Sequence, residues 1–181
     1  MDHKPWKTVS SRPIYQNPWM SLREDIAEMP NGRTTLYGVV TFGDCVGVVP
    51  FLDDDRILMV RQYRYVQQDA RWEIPTGGVK EGESLQDAAQ RELEEEIGYR
   101  AGQLTRVSSY YTSKSICRET AHLYIGHNLA PARRSPDETE FIEIAAFSFA
   151  KALRVVIDCE IMDSMSVIAL LHAARLRKEF E

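Results

Sequence analysis

Between Gly77 and Tyr99 a glycine-rich stretch, Gly77-Gly78-Val79-Lys80-Glu81-Gly82-Glu83, runs directly into a segment with every mark of a helix. Gly77, Gly78 and Gly82 read as a loop, because glycine reaches backbone angles that other residues avoid. Ser84 has N-cap chemistry, with Asp87 three residues on as a weak capping box. Leu85 to Ile97 contains no proline and is rich in Ala, Leu, Gln, Glu and Arg, all good helix formers. Gly98 stands where a C-terminal cap belongs. The spacing predicts a helix over 85–97.

At about 100° per residue, with Leu85 at zero, Ala88, Ala89, Leu93 and Ile97 form a stripe from roughly 300° round to 120°. Glu92 and Glu96 fall inside it, near about 340° and 20°. Glu94 faces the opposite way, and Glu95 lies at the stripe's edge near about 280°. Carboxylates one turn apart repel, and burying both costs several kcal/mol unless something positive joins them. A divalent cation would do so, and oxygen ligands favour Mg²⁺ or Mn²⁺ over zinc. The competing reading of a lone Glu-x-x-x-Glu is a solvated acidic face.

The string Gly77, Glu83, Arg91-Glu92-Leu93, Glu95-Glu96, Gly98 resembles the signature of the Nudix hydrolases, with Tyr99 replacing its terminal aliphatic residue. That resemblance implies an α/β (α+β) Nudix fold: a mixed β-sheet sandwiched between helices, with a small N-terminal antiparallel β-sheet. It implies metal ligation by Glu92, Glu95 and Glu96, joined by the carbonyl of Thr76, with Glu96 also counted as catalytic. Glu83 would pair with Arg91 to brace loop against helix. Mg²⁺ is the implied cofactor, and Mn²⁺ could substitute.

The rest of the chain narrows the branch. Arg61-Gln62-Tyr63-Arg64 resembles a strand end of the ADP-ribose pyrophosphatases. Arg64 is the candidate for the diphosphate, since a guanidinium fork matches phosphate oxygens; a solvated arginine is the alternative. Trp72-Glu73-Ile74-Pro75 is similar to the Glu-x-Pro entry of the sugar-nucleotide branch. Glu73 would touch metal or ribose, or satisfy backbone amides of the loop. In these relatives a Ser-Pro-Gly follows the signature; here Ser113-Lys114-Ser115 stands in its place. Glu119 keeps the acidic position, and Lys114 is placed to reach a phosphate or a base and re-tune selectivity. Farther on, the relatives' loop glutamates match Glu138 as general base and Glu140 as auxiliary metal ligand and catalytic partner by order, against a plain solvated loop.

The implied activity is Mg²⁺-dependent hydrolysis of the diphosphate bond of a nucleoside diphosphate sugar, ADP-ribose favoured, giving AMP and ribose 5-phosphate. GDP-mannose, ADP-glucose or a dinucleoside polyphosphate are alternative substrates, and a non-catalytic nucleotide-sensing module is a rival of another class.

The 181 residues suit a domain of 43–181 with an N-terminal β element, 1–42, for dimerisation and substrate contact. Within that element Trp6 to Val9 and Met20 to Met29 read as strands, Pro13 and Pro18 as punctuation, and Pro30-Asn31-Gly32 as a turn before Thr34 to Phe42. So small a hairpin needs something to pack on. In similar enzymes it is commonly exchanged between subunits, which implies a homodimer; packing on its own domain is the alternative. Trp19 would stack on a nucleobase or pack in a core.

Val46 to Leu52 and Arg56 to Tyr65 read as strands joined by an Asp53-Asp54-Asp55 turn. Leu104 to Tyr111, Ala121 to Ile125 and Phe141 to Phe149 are further strands. Residues 130–140 read as an irregular polar loop. Ser148 caps a helix from Phe149 to Ile157, and Asp163 caps one in which Val167, Ile168, Leu170, Leu171 and Leu176 face the sheet. The net charge of −5, with no basic run, argues against nucleic acid. Cys45, Cys117 and Cys159 show neither zinc nor disulfide spacing. With no apolar run long enough for a membrane span, a soluble cytoplasmic protein is expected.

Overall fold

The computed structural model describes residues 5–132 and 141–178. Two compact units emerge, Met1–Asp44 with Tyr111–Thr120, and Cys45–Tyr110 with Ala121–Glu181.

In the first unit, β1 (Lys7–Gln16), β2 (Ser21–Glu28) and β3 (Thr34–Thr41) form an antiparallel meander. Further along the chain β4 (Cys45–Pro50), β5 (Arg56–Arg64), β6 (Asp69–Glu73), β7 (Thr76–Gly78), α1 (Leu85–Ile97) and β8 (Tyr99–Tyr111) follow. The short β9 (Cys117–Arg118) returns to β3 as a parallel neighbour, giving the first unit the order β1-β2-β3-β9. Pro13 does not end β1 as expected. The strand runs through it with a register shift between Pro13 and Tyr15, which an edge strand tolerates because a missing N–H there leaves no ladder broken.

The second unit is completed by β10 (Thr120–Pro131), β11 (Glu143–Ser148), α2 (Phe149–Ile157) and α3 (Ser164–Leu176). Its strands make two sheets, β7-β4-β10-β8 and β11-β5-β6. β10 runs parallel to β4, while β7 is antiparallel to it, so the larger sheet is mixed. Period-two alternation sends side chains to two separate cores. Val46, Val48, Leu58 and Val60 join Ala88, Ala89 and Leu93 of α1. Val49, Ile57, Met59 and Leu123 join Phe149, Ala152, Ala169 and Ala173 of α2 and α3. The sheets are thus sandwiched between helices, as the resemblance implied.

Three expectations need correcting. Gly77 and Gly78 are not loop residues: they lie in β7, paired with Val46 and Cys45, and of this stretch only Gly82 has a left-handed φ. Ala130 and Pro131 belong to β10, which outlasts the predicted strand because its N–H and C=O groups pair with a neighbouring strand. On α3 the buried face is Met165, Ser166, Ala169, Leu170, Ala173 and Ala174, while Leu171 and Leu176 are exposed. Small residues let that helix approach the sheet closely.

Candidate active site

The helix α1 is built as its sequence dictates. Ser84 Oγ accepts the Asp87 N–H at 3.1 Å, and Gly98 closes the helix at φ 72°, its N–H donating to the Glu94 carbonyl. That geometry turns Glu92 and Glu96 inward among apolar neighbours, 7% and 1% exposed, while Glu94 and Glu95 stay half-buried. Gln90, which the stripe argument omitted, is buried as well. Its amide donates to the Ala101 carbonyl at 2.7 Å and accepts the Ala101 N–H at 3.0 Å, so its burial leaves nothing unpaired.

Charge among the glutamates is organised by Arg91. Its Nε and Nη2 donate to Glu83 at 2.8 and 3.0 Å, and Nη2 also to the Gly78 carbonyl at 2.8 Å. Nη1 donates to Glu92 Oε1 at 2.6 Å and Glu95 Oε2 at 2.9 Å. The Glu83 hydrogen bonds lead in raising the Arg91 pKa above its ordinary value. The same contact leads in holding Glu83 below the ordinary carboxylate value. The Thr76 N–H donates to Glu96 Oε2 at 3.2 Å, tying β7 to the helix.

Two observations bear on a metal here. The donors the resemblance implies, carboxylates and a backbone carbonyl, are the hard oxygen set that suits Mg²⁺ or Mn²⁺. At Gly77, a Cβ would fall 2.0 Å from Glu92 Oε1, so the glycine leaves room for that carboxylate and nothing larger. Residue chemistry therefore fits a divalent ion. Among the described residues, however, no three acidic, histidine or cysteine side chains are grouped as a ready-made ion cage. Arg91 holds Glu92 and Glu95, as well as Glu83, instead.

Thr76, bonded to Glu96, also lines a cleft of 670 Å³, with Arg64, Glu73, Trp72, Met162 and Asp163 among its other walls. Glu73 is buried and does not serve the loop amides. It takes Arg64 Nη2 at 2.7 Å and Nε at 2.9 Å, so Arg64 is not simply solvated either. Burial leads in raising the Glu73 pKa, and Arg64 opposes the shift. Below the cleft, Ser166 Oγ accepts the Ile74 N–H at 2.9 Å and donates to Asp163 at 2.8 Å. Asp163 also caps α3 through the Ser166 N–H at 2.8 Å. The cap was readable in the sequence; the link from α3 to the Glu73–Thr76 segment was not, because it joins residues 92 positions apart.

Trp19 is 79% exposed, which removes the core-packing alternative. Its backbone N–H donates to Asn17 Oδ1 at 2.9 Å. Lys114, exposed, and Glu119, half-buried, belong to the same first unit. Glu138 and Glu140 lie outside the described residues.

This helix, its inward glutamates and the cleft define the class. The chain belongs to the Nudix hydrolase family: residues 41–161 match the NUDIX domain, and residues 6–40 match the nucleoside diphosphate sugar hydrolase N-terminal domain. Among its relatives, the ADP-ribose pyrophosphatase of Bacillus subtilis (strain 168) is 32% identical over 92% of this chain and 91% of its own. The methanol dehydrogenase activator of Bacillus methanolicus is 33% identical over the same shares. A crystal structure of an ADP compounds hydrolase superposes with a TM-score of 0.89 over 99% of this chain and 97% of its own, at 21% identity, a likeness of fold.

Proposed function

We propose that this enzyme hydrolyses the diphosphate bond of nucleoside diphosphate sugars, with ADP-ribose preferred and AMP and ribose 5-phosphate as products. The observation that carries the reading is the inward pair Glu92 and Glu96, with Gly77 leaving space for the first and Thr76 tied to the second. The names of the similar enzymes support the substrate class.

Glu92, Glu95, Glu96 and the Thr76 carbonyl would hold Mg²⁺, with Mn²⁺ as a substitute and Glu140 as an auxiliary ligand. When bound, the ion supplies positive charge against the diphosphate oxygens. Arg64, steadied by Glu73, orients the diphosphate through its guanidinium. Glu138 takes the proton of the attacking water. The new bond forms between that water's oxygen and phosphorus, the bridging P–O bond breaks, and the departing phosphate keeps the electron pair. Trp19, Lys114 and Glu119 are assigned to substrate contact, and residues 1–42 to substrate contact and dimerisation. Free thiols at Cys45, Cys117 and Cys159 agree with a cytoplasmic setting. No helix among the described residues is long and apolar enough to cross a membrane.

A panel of nucleotide sugars with Mg²⁺ and with Mn²⁺ tests the proposal. ADP-ribose should give AMP fastest, and Glu96→Gln should abolish turnover. Absence of turnover on every member of the panel would sink the reading.

A further inference from the structure

A second cavity, of 330 Å³, shares Asp69, Arg71 and Trp72 with the cleft and extends beneath α2. Strand register creates it. Arg61 and Trp72 are direct partners across β5 and β6, so both project from one face of the sheet. The Arg61 guanidinium stands 5.3 Å from the centre of the Trp72 ring, and Trp72 meets Phe147 edge-on at 5.0 Å. Lys151, in the first turn of α2, holds its Nζ 4.3 Å from the centre of the Phe147 ring. Arg71 completes the basic rim, its Nη1 donating to the Glu160 carbonyl at 3.1 Å.

Compensation of these three cations is uneven. Arg61 is paired with Glu143, and Arg71 with Asp69 at 2.6 Å. Among the described residues Lys151 makes no salt bridge, and its ammonium rests on the aromatic face of Phe147. A ring positions an ammonium without using up its donors, and among the described residues no carboxylate takes them, which leaves them to an anion. Charged and apolar walls in one concavity, with converging donors, are what a small anionic ligand requires.

We propose that this cavity is an accessory phosphate subsite. A dianionic phosphate group would sit on Lys151 and Arg71, flanked by Arg61. Two sources share that chemistry: free inorganic phosphate, and the phosphomonoester of a nucleotide product, the second resting on the hydrolysis proposed above. Because Asp69 and Arg71 also line the cleft, a phosphate that draws Arg71 away from Asp69 alters the cleft wall. Bound phosphate should therefore change KM for the substrate more than kcat.

Calorimetric titration of the full chain with inorganic phosphate, and separately with AMP, tests this. Lys151→Glu is the informative variant, since a negative charge in the first turn of α2 suits the helix dipole and keeps the fold. Lys151→Met, which keeps the stem, is the second. The wild type should bind at least one of the two ligands. Lys151→Glu should weaken that binding at least about tenfold, with Lys151→Met between, as expected for losing a charged hydrogen bond. Hydrolysis without added phosphate should stay within about twofold of wild type in both. Phosphate bound as well as AMP identifies the free ion as the ligand, and AMP bound more tightly identifies the monoester. Equal affinity in wild type and both variants, or no binding to the wild type, overturns the subsite. Lys151-dependent phosphate binding in a chain that hydrolyses no nucleotide sugar would leave the subsite standing and remove the hydrolytic reading instead.

Discussion

A methyl group added at Gly77 would place its carbon 2.0 Å from Glu92 Oε1 and 2.1 Å from that side chain's Cδ. The glycine's backbone is ordinary extended strand, so volume rather than torsion forbids a side chain there. Only the end of Glu92 has to yield, and most of the core is untouched. Gly77→Ala should therefore lower kcat/KM on ADP-ribose by about 100-fold or more, the effect of displacing a reacting group by an ångström. Its melting temperature should fall by only a few degrees, as for a small local strain. Steady-state rates and a thermal melt on one preparation check both halves; full activity would show that Glu92 is not where the chemistry needs it. Glu83 offers a pH test. Its folded pKa lies below the unfolded value, chiefly through Arg91, so its stabilisation is present above the unfolded pKa and lost as pH falls through the folded one. In denaturant melts from about pH 7 down to about pH 3, Glu83→Gln should lose stability at neutral pH and show a shallower acid-side decline than wild type. Parallel pH profiles would remove Glu83 from the Arg91 hub.

Among the elements, those whose ends carry capping side chains were legible. Ser84, Ser148 and Asp163 each accept the predicted backbone N–H, and α1, α2 and α3 begin where those residues place them. The inward turn of Glu92 and Glu96 followed from helical periodicity alone. Other features depended on partners no local pattern reveals. β6 is a mostly exposed edge strand reading Asp69-Ala70-Arg71-Trp72-Glu73, with no alternation to mark it. On α3 the apolar residues run most of the way round, so the sheet selects the smaller side and leaves Leu171 and Leu176 outside. The bond from Ser166 to Ile74 is such a partner effect, and it binds α3 to the segment that carries Glu73 and Thr76. Ser166→Ala strands the Ile74 N–H in a fully buried place and should cost about 1–3 kcal/mol. Urea melts should register that loss. Substrate KM should rise as Arg64 and Glu73 lose their fixed seat, whereas a normal KM would confine Ser166 to stability.

For the molecule as a whole, the decisive feature is a strand that buries nothing. All ten residues of β1 are exposed, and β1 forms an edge of its sheet. Trp6, Val9 and Tyr15 on this side and Leu36 on β3 are each at least half exposed. An unpaired strand edge beside clustered apolar groups invites another chain, and large exposed apolar patches mark interaction surfaces. A second copy of the chain is the occupant we propose, in keeping with the dimer the family resemblance implies. Each apolar side chain so covered contributes on the order of 1.5–3 kcal/mol, so a pair of charges inside the patch should be enough to dissociate it. Val9→Lys combined with Leu36→Lys should move the protein from dimer to monomer in sedimentation equilibrium at tens of micromolar. Because both positions are solvent-exposed within one chain, the melting curve of the monomer should remain cooperative. If residues 1–42 also shape the substrate site, the monomeric variant should lose affinity for ADP-ribose along with its partner. A wild type that sediments as a monomer would leave β1 exposed for some other ligand, and a double variant that stays dimeric would place the interface elsewhere on the chain.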